Sequence, residues 1–251
     1  MKTVLITQAR VGSSRLPGKV LLKIAGATLL DIHLSRVKKA KRVDQVVVAT
    51  TQEERSDLIC DIAEKQGVAW FKGSLEDVLD RFYQTAVSYE ADWIVRVTSD
   101  CPLLDPAVVD SVIEKAISGD YDYCSNILVE DFPDGQDVEV FKYSALEVAW
   151  KQAKKTFERE HVTPFIRNNS DYKGESMFSA ADVEAGGNFN KIRMTVDEPA
   201  DLEMIRWLVN ACGIDKNWMT YTDYMLSHPD KLVNKDILRN EGYIKSLKKE
   251  L

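Results

Sequence analysis

Residues 3–8, TVLITQ, constrain this chain more than any other stretch because they run directly into a loop of unusual composition. A short β-branched apolar run bounded by turn residues suits a strand buried on both faces of a parallel sheet. It passes straight into residues 9–19, ARVGSSRLPGK, which carry Arg10, Gly12, Ser13, Ser14, Arg15, Gly18 and Lys19. Glycines let backbone N–H groups approach a ligand, and successive amides form an anion-binding concavity. Arginine presents a planar fork to phosphate oxygens, and lysine a point charge. The mixture describes a polyphosphate cradle at the carboxyl end of a strand, where open α/β sheets bind ligands. The loop is neither GxxxxGK[ST], since Val20 follows Lys19, nor GxGxxG. A solvated basic turn is the other reading of the same residues.

Strand-like and helix-like patterns alternate through the first half. Residues 45–50, 68–71 and 93–98 read as strands, and 29–40, 56–66, 75–90 and 106–117 as helices. Ser56 is placed to cap one helix and Gly67 to end it, while Pro106 opens another and Gly119 lies past its end. Such repetition implies right-handed crossovers and a largely parallel sheet. The pattern then changes. Residues 121–145 read as strands about a Pro-Asp-Gly turn at 133–135, and 144–155 and 157–168 as helices. Residues 173–190 look irregular, 192–196 return as a strand, 199–212 form a helix, and 215–251 form short helices with a basic end at 245–249. The expected organisation is one domain, 1–251. Its nucleotide-binding half is 1–125, a lobe over the site or at a dimer contact is 126–190, and 191–251 holds the returning strand and terminal helices. Phe132, Phe141, Tyr143 and Trp150 are candidates for that contact, or for the core.

Composition narrows the function. With 33 Lys and Arg against 40 Asp and Glu, the net charge of −7 argues against a general nucleic-acid binder. A local cluster of cations still suffices for a nucleotide. Cys60, Cys101, Cys124 and Cys212 are widely spaced with no CxxC, so no zinc pattern can be drawn, and free thiols in a reducing cytoplasm are expected. The first strand begins too early for a signal peptide, and no apolar run reaches membrane-spanning length.

Asp100 and Asp197 each end an apolar run and precede a proline turn or helix. Either acid alone reads equally as a turn former or a helix cap. Two acids ending two strands, beside a phosphate loop ending a third, describe a Mg²⁺ site, since that ion takes one or two carboxylates plus substrate phosphates. Asp137 and Glu139 alternate as on one face of a strand. Arg159 and His161 stand in the charged block EREH, where His161 alone also reads as a structural histidine.

These blocks carry a resemblance. QARVGSSRLPGKVL (8–21), VVVATT (46–51), GSLEDVLDRF (73–82), VRVTSDCPLLDP (95–106), DGQDVEVF (134–141), EREHVTPFI (158–166) and TVDEPADL (195–202) occur in this order. Together they resemble the cytidylyltransferases that activate acidic sugars, above all the spore-coat polysaccharide biosynthesis protein F branch, related to CMP-Kdo and CMP-acylneuraminate synthetases. The resemblance implies an α/β fold: a Rossmann-like, GT-A-like three-layer α/β/α nucleotidyltransferase with a mostly parallel sheet. It implies transfer of CMP from CTP to an acidic sugar, sugar phosphate or phosphonate, with release of pyrophosphate, for a surface polysaccharide or glycan. Asp100 and Asp197 would bind Mg²⁺, and Arg10, Arg15 and Lys19 the triphosphate, with Gly12 and Ser13 in the cradle. Ala9 and Arg10, with Gly73 and Ser74, would lie near cytosine and ribose, and Arg81 would also bind the nucleotide, although Asp80 and Arg81 also read as an exposed helix ion pair. Asp137, Glu139, Arg159 and His161 become acceptor-side candidates, and a homodimer is expected. The acceptor-half blocks depart from the Kdo and sialic-acid patterns, so their sugar specificity does not carry over. A GT-A glycosyltransferase is one alternative, although Asp100-Cys101-Pro102 lacks a DxD pair; a non-catalytic nucleotide-binding protein is another.

Overall fold

The computed structural model describes residues 1–13 and 15–248. Ser14 of the basic loop and Lys249 of the basic end lie outside the described residues. The apolar run at the start becomes the central strand β1 (Thr3–Gln8). A two-strand hairpin, β2 (Lys23–Ile24) and β3 (Ala27–Thr28), leads into α1 (Leu29–Val37). There follow β4 (Gln45–Thr51), α2 (Asp57–Lys65), β5 (Ala69–Gly73), α3 (Val78–Ser88), β6 (Trp93–Thr98) and α4 (Pro106–Ser118). The second half holds β7 (Tyr123–Ser125), β8 (Glu139–Lys142), α5 (Tyr143–Gln152), α6 (Thr156–His161), α7 (Pro164–Asn168) and β9 (Ala180–Asp182). Three helices close the described chain: α8 (Pro199–Cys212), α9 (Trp218–Leu226) and α10 (Glu241–Lys248).

The seven-stranded sheet has the order β5–β4–β1–β6–β8–β7–β9. β5, β4, β1 and β6 are mutually parallel. β8 is antiparallel to both β6 and β7, and β9 runs parallel to β7. Period-two alternation along the strands divides the core. Leu5, Val48 and Val95 pack with Leu30, Leu34, Ile59, Val109 and Ile113 on one face. Val4, Ile6, Val47 and Ile94 pack with Leu79, Phe82, Leu146 and Ile166 on the other. The result is the expected three-layer α/β/α fold. A third cluster joins Ile192, Met194 and Val196 to α8 and α9 through Ile205, Leu208, Tyr221 and Met225.

The sequence placed several boundaries differently from the structure. The apolar run 192–196 is buried and extended but joins no strand ladder. It meets the sheet region through one bridge, Arg193 to Asp134, and otherwise bonds to loops, with Val196 N donating to Asp100 O at 2.8 Å. β9 lies inside the stretch read as irregular. The helix expected over 157–168 is two helices, broken at Val162, whose φ is +72°, just before Pro164 opens α7. Ser56 makes no side-chain cap; its hydroxyl bonds Thr51 Oγ1 at 3.0 Å instead. Phe132 and Phe141 are core residues, which leaves Tyr143 and Trp150 half-buried in a stack with Tyr83. Among the described residues no helix is long and apolar enough to cross a membrane.

Candidate active site

The basic loop is shaped by its own backbone. The amides of Ser13 and Gly18 both donate to Val11 O at 3.0 Å, which folds the loop back on itself. Gly18 takes a left-handed conformation (φ +66°), which glycine adopts without steric cost, and this turns the chain into a 3₁₀ turn at Lys19–Leu21. Lys19 is thereby aimed at the ends of the neighbouring strands. Its Nζ lies 2.7 Å from Asp100 Oδ2 and 2.8 Å from Asp197 Oδ1. Asp100 follows β6, and Asp197 precedes α8, where Glu198 rather than Asp197 is the capping position.

Charge holds this group together. Burial disfavours the Lys19 ammonium, but Asp100 and Asp197 outweigh it and raise its pKa. Burial alone would raise the Asp100 carboxyl; the Lys19 ammonium reverses this and holds it well below the usual carboxylate range. Asp197 is gripped from two further sides, by Arg15 Nη2 at 3.0 Å and by Arg193 Nη2 at 3.0 Å. Arg193 is buried and also bonds Asp201 and Asp134, so it fixes the loop before α8. Asp201 Oδ2 in turn accepts from the amides of Asp197 and Glu198.

The four cations of the loop and α3 differ in their partners. Arg15 reaches Glu198 and Glu241 as well as Asp197. Arg10 is exposed and has no ion-pair partner among the described residues. Arg81 is only 2% exposed, donates to Ser74 O at 2.7 Å, and leaves Nε without a partner. Burial, and then the neighbouring Arg10, push the Arg81 guanidinium down to about 10. Two guanidinium groups with so little neutralisation favour an anion beside them. Gly73 permits the close packing of Arg81: a Cβ there would stand 2.8 Å from Arg81 Cγ. Asp80 accepts from Trp150 Nε1 and Gln84 Nε2 while Arg81 is buried, so the alternative reading of the two as an exposed helix ion pair does not hold.

These groups open onto one cleft of about 590 Å³. Ala9, Arg10, Ser13, Arg15, Lys19, Arg81, Asp100, His161 and Asp197 line it. Gly12, Gly73 and Ser74 stand behind the lining: Gly12 packs against Glu53, and Gly73 and Ser74 against Arg81. Three of the acceptor-side candidates point elsewhere. Glu139 is buried against Arg96, Tyr123 and Thr163. Asp137 lies before β8 and pairs with Arg239. Arg159 pairs with Asp77 and donates to the carbonyls of Trp150 and Ala153.

A cytidylyltransferase family model matches residues 4–223. The chain belongs to this family. Spore coat polysaccharide biosynthesis protein SpsF of Bacillus subtilis is 35% identical over 217 residues, covering 83% of this chain and 86% of that protein. A 3-deoxy-manno-octulosonate cytidylyltransferase of Geobacter metallireducens is 33% identical over 118 residues, covering 47% of this chain and 46% of that protein. The structure of a cytidylyltransferase from Leptospira borgpetersenii serovar Hardjo-bovis superposes with a TM-score of 0.88 at 30% identity, over 95% of this chain and 100% of that one. The resemblance to spore-coat-type cytidylyltransferases is therefore shown, and the chain is a CTP-dependent nucleotidyltransferase. The glycosyltransferase and non-catalytic readings are set aside.

The cleft of this cytidylyltransferase also contains residues that were not among the expected site residues. Gln8 and Thr98 come from strand ends, and Glu76 from the approach to α3. Glu241, Gly242 and Ser246 come from α10, beyond the family match. Gln8 and Thr98 were findable as the last residues of predicted strands. The α10 residues carry no local signal, because only tertiary packing brings them to the cleft.

Proposed function

We propose that this cytidylyltransferase transfers CMP from CTP to an acidic sugar, or to a sugar phosphate or phosphonate, with release of pyrophosphate and with Mg²⁺ as cofactor. The observation that carries the reading is the Lys19 ammonium held between Asp100 and Asp197 at 2.7 and 2.8 Å, beside a loop rich in cations. Two carboxylates from separate segments already share one cation there. Among the described residues no group of three or more His, Cys, Asp or Glu could hold a metal ion. A two-carboxylate site completed by substrate phosphates and water suits Mg²⁺, so the donor set fits. Bound there, Mg²⁺ would neutralise phosphate charge and favour attack at the α-phosphorus.

The protein's own residues supply position and charge. Arg10, Arg15 and Lys19 bind the β- and γ-phosphates, with Arg15 and Lys19 exchanging carboxylate partners for phosphate oxygens. An oxygen of the acceptor attacks the α-phosphorus in line, and the bond to the β-phosphate oxygen breaks. The charge that develops on pyrophosphate is taken up by Lys19 and Arg15, which are held in place before the reaction. The spore-coat and octulosonate relatives support a sugar-type acceptor. The test is pyrophosphate release with Mg²⁺ and each of the four nucleoside triphosphates, against acidic sugars, sugar phosphates and phosphonates. Release with CTP and one acceptor is expected. Release with another nucleotide alone, or from a nucleotide-sugar donor, counts against the reading.

A further inference from the structure

One wall of the cleft is built by α6 and α10. Thr156, Glu160 and His161 come from the first, and Glu241, Gly242 and Ser246 from the second. Ser246 joins the two helices. Its Oγ donates to Glu160 Oε2 at 2.7 Å and lies 3.2 Å from His161 Nε2. Ser246 is buried, and the His161 ring meets Tyr243 edge-on at 5.1 Å, so the cluster is fixed by packing as well as by hydrogen bonds. Burial, and next the Arg96 charge, push the His161 imidazole down to about 4, which leaves the ring neutral near pH 7.

The chemistry of this wall differs from that of the loop. Its described lining side chains offer hydroxyls, carboxylates and a neutral imidazole, whereas the lining cations Arg10, Arg15, Lys19 and Arg81 come from the loop and α3. A carboxylate and a hydroxyl recognise donors such as sugar hydroxyls, while an acceptor's own carboxylate or phosphate finds its partners on the cationic side. We infer that the α6–α10 wall is the acceptor subsite, and that Ser246 and Glu160 determine specificity by reading the hydroxyls of a polyhydroxylated acceptor. This rests on the cytidylyl-transfer reading above and extends it to a segment outside the family match.

The experiment compares wild type, Ser246→Ala and Glu160→Gln. CTP binding with Mg²⁺ is measured by calorimetry, and pyrophosphate release is measured with polyhydroxylated acidic sugars and sugar phosphates beside a hydroxyl-poor alkyl phosphonate. A hydroxylated acceptor is expected to turn over. Both variants are expected to raise its KM by about tenfold, the loss of one hydrogen bond, with the dissociation constant for CTP changed less than about twofold. Glu160→Gln keeps the side chain's shape on a half-exposed site, so it reads the effect even if Ser246→Ala fails to fold. Unchanged acceptor KM in the folded variants overturns the subsite. So does turnover with the alkyl phosphonate alone, or silence with every hydroxylated acceptor while CTP still binds. Absence of CTP binding in wild type overturns the underlying reading instead, which keeps the two failures apart.

Discussion

Lys19 Nζ stands 2.7 Å from Asp100 Oδ2 and 2.8 Å from Asp197 Oδ1, a single ammonium between the two carboxylates of the site. In the proposed reaction the same lysine competes with Mg²⁺ when the cleft is empty and stands beside pyrophosphate when it is full. Lys19→Ala is expected to lower kcat by about 10²–10³, the loss typical of one preorganised charge-stabilising group. Without nucleotide it should also bind Mg²⁺ more tightly than wild type, since the competing cation is gone. Steady-state kinetics and a magnesium titration check both; wild-type turnover would remove the leaving-group role.

Asp100→Asn and Asp197→Asn test the proposed Mg²⁺ site from the other side. Each removes one anionic oxygen donor, and each should shift the Mg²⁺ concentration for half-maximal turnover upward by tenfold or more, about 1.4 kcal/mol. CTP-dependent turnover titrated against magnesium reads the shift. Superimposable titrations would return both residues to the roles of turn and electrostatic partner of Lys19.

Arg193 holds Asp134, Asp197 and Asp201 together in the buried loop before α8. Arg193→Met is expected to destabilise the fold by about 3–5 kcal/mol, because it leaves buried carboxylates without their counter-ion. Urea unfolding at pH 7 measures the change. A loss below about 1 kcal/mol would mean that solvent, not Arg193, carries those charges.

His33 gives the stability a pH dependence. Its ring is fully buried, donates from Nδ1 to Cys101 O at 2.9 Å and accepts at Nε2 from Thr7 Oγ1 at 2.9 Å. Burial pushes it from 6.5 down to about 4. The folded state thus binds the proton less readily than the unfolded state. The stabilisation is complete above pH 6.5 and is lost as pH falls through the window to pH 4, by about 3 kcal/mol in all. Unfolding free energies from pH 7 to 4 should fall along this slope, and His33→Gln should flatten it. Equal slopes in the two proteins would assign the acid loss to other groups.

The legible parts of this chain were those written in local pattern. β1, β4 and β6 are continuous β-branched runs because both their faces are buried, and β6 matched its expected bounds. The loop with Arg10, Arg15 and Lys19 showed itself through an unusual local mixture of residue types. What escaped depended on distant partners. β9 has the sequence Ala-Ala-Asp and becomes a strand only because β7 pairs with it. Residues 192–196 have a strand's apolar pattern, but the polar backbone groups they meet belong to loops, so burial came without a ladder. Glu139 looked like a cleft residue from its alternation with Asp137. Its partner Arg96 lies on the adjacent strand, and that pairing turns it into a buried anchor instead.

The direction of β8 sets which of its flanking segments meets the Asp100 edge of the sheet. Every other strand of the large sheet runs one way, so the chain leaves each of them at the edge where Asp100 stands. β8 runs the other way and enters the sheet at that edge, with Glu139 beside Arg96. The segment that precedes β8, residues 126–138, therefore comes in from the Asp100 edge, and the tight connection from β8 into α5 lies at the opposite edge. That entry is locked by burial: Phe132 packs in the core, Asp134 pairs with Arg193, and Gln136 donates to Leu103 O and accepts from the Asp105 amide, so insertions within 132–138 break packing there. The junction of β8 and α5 falls on the far edge and contributes no residue to the cleft lining, so changes there bear on folding.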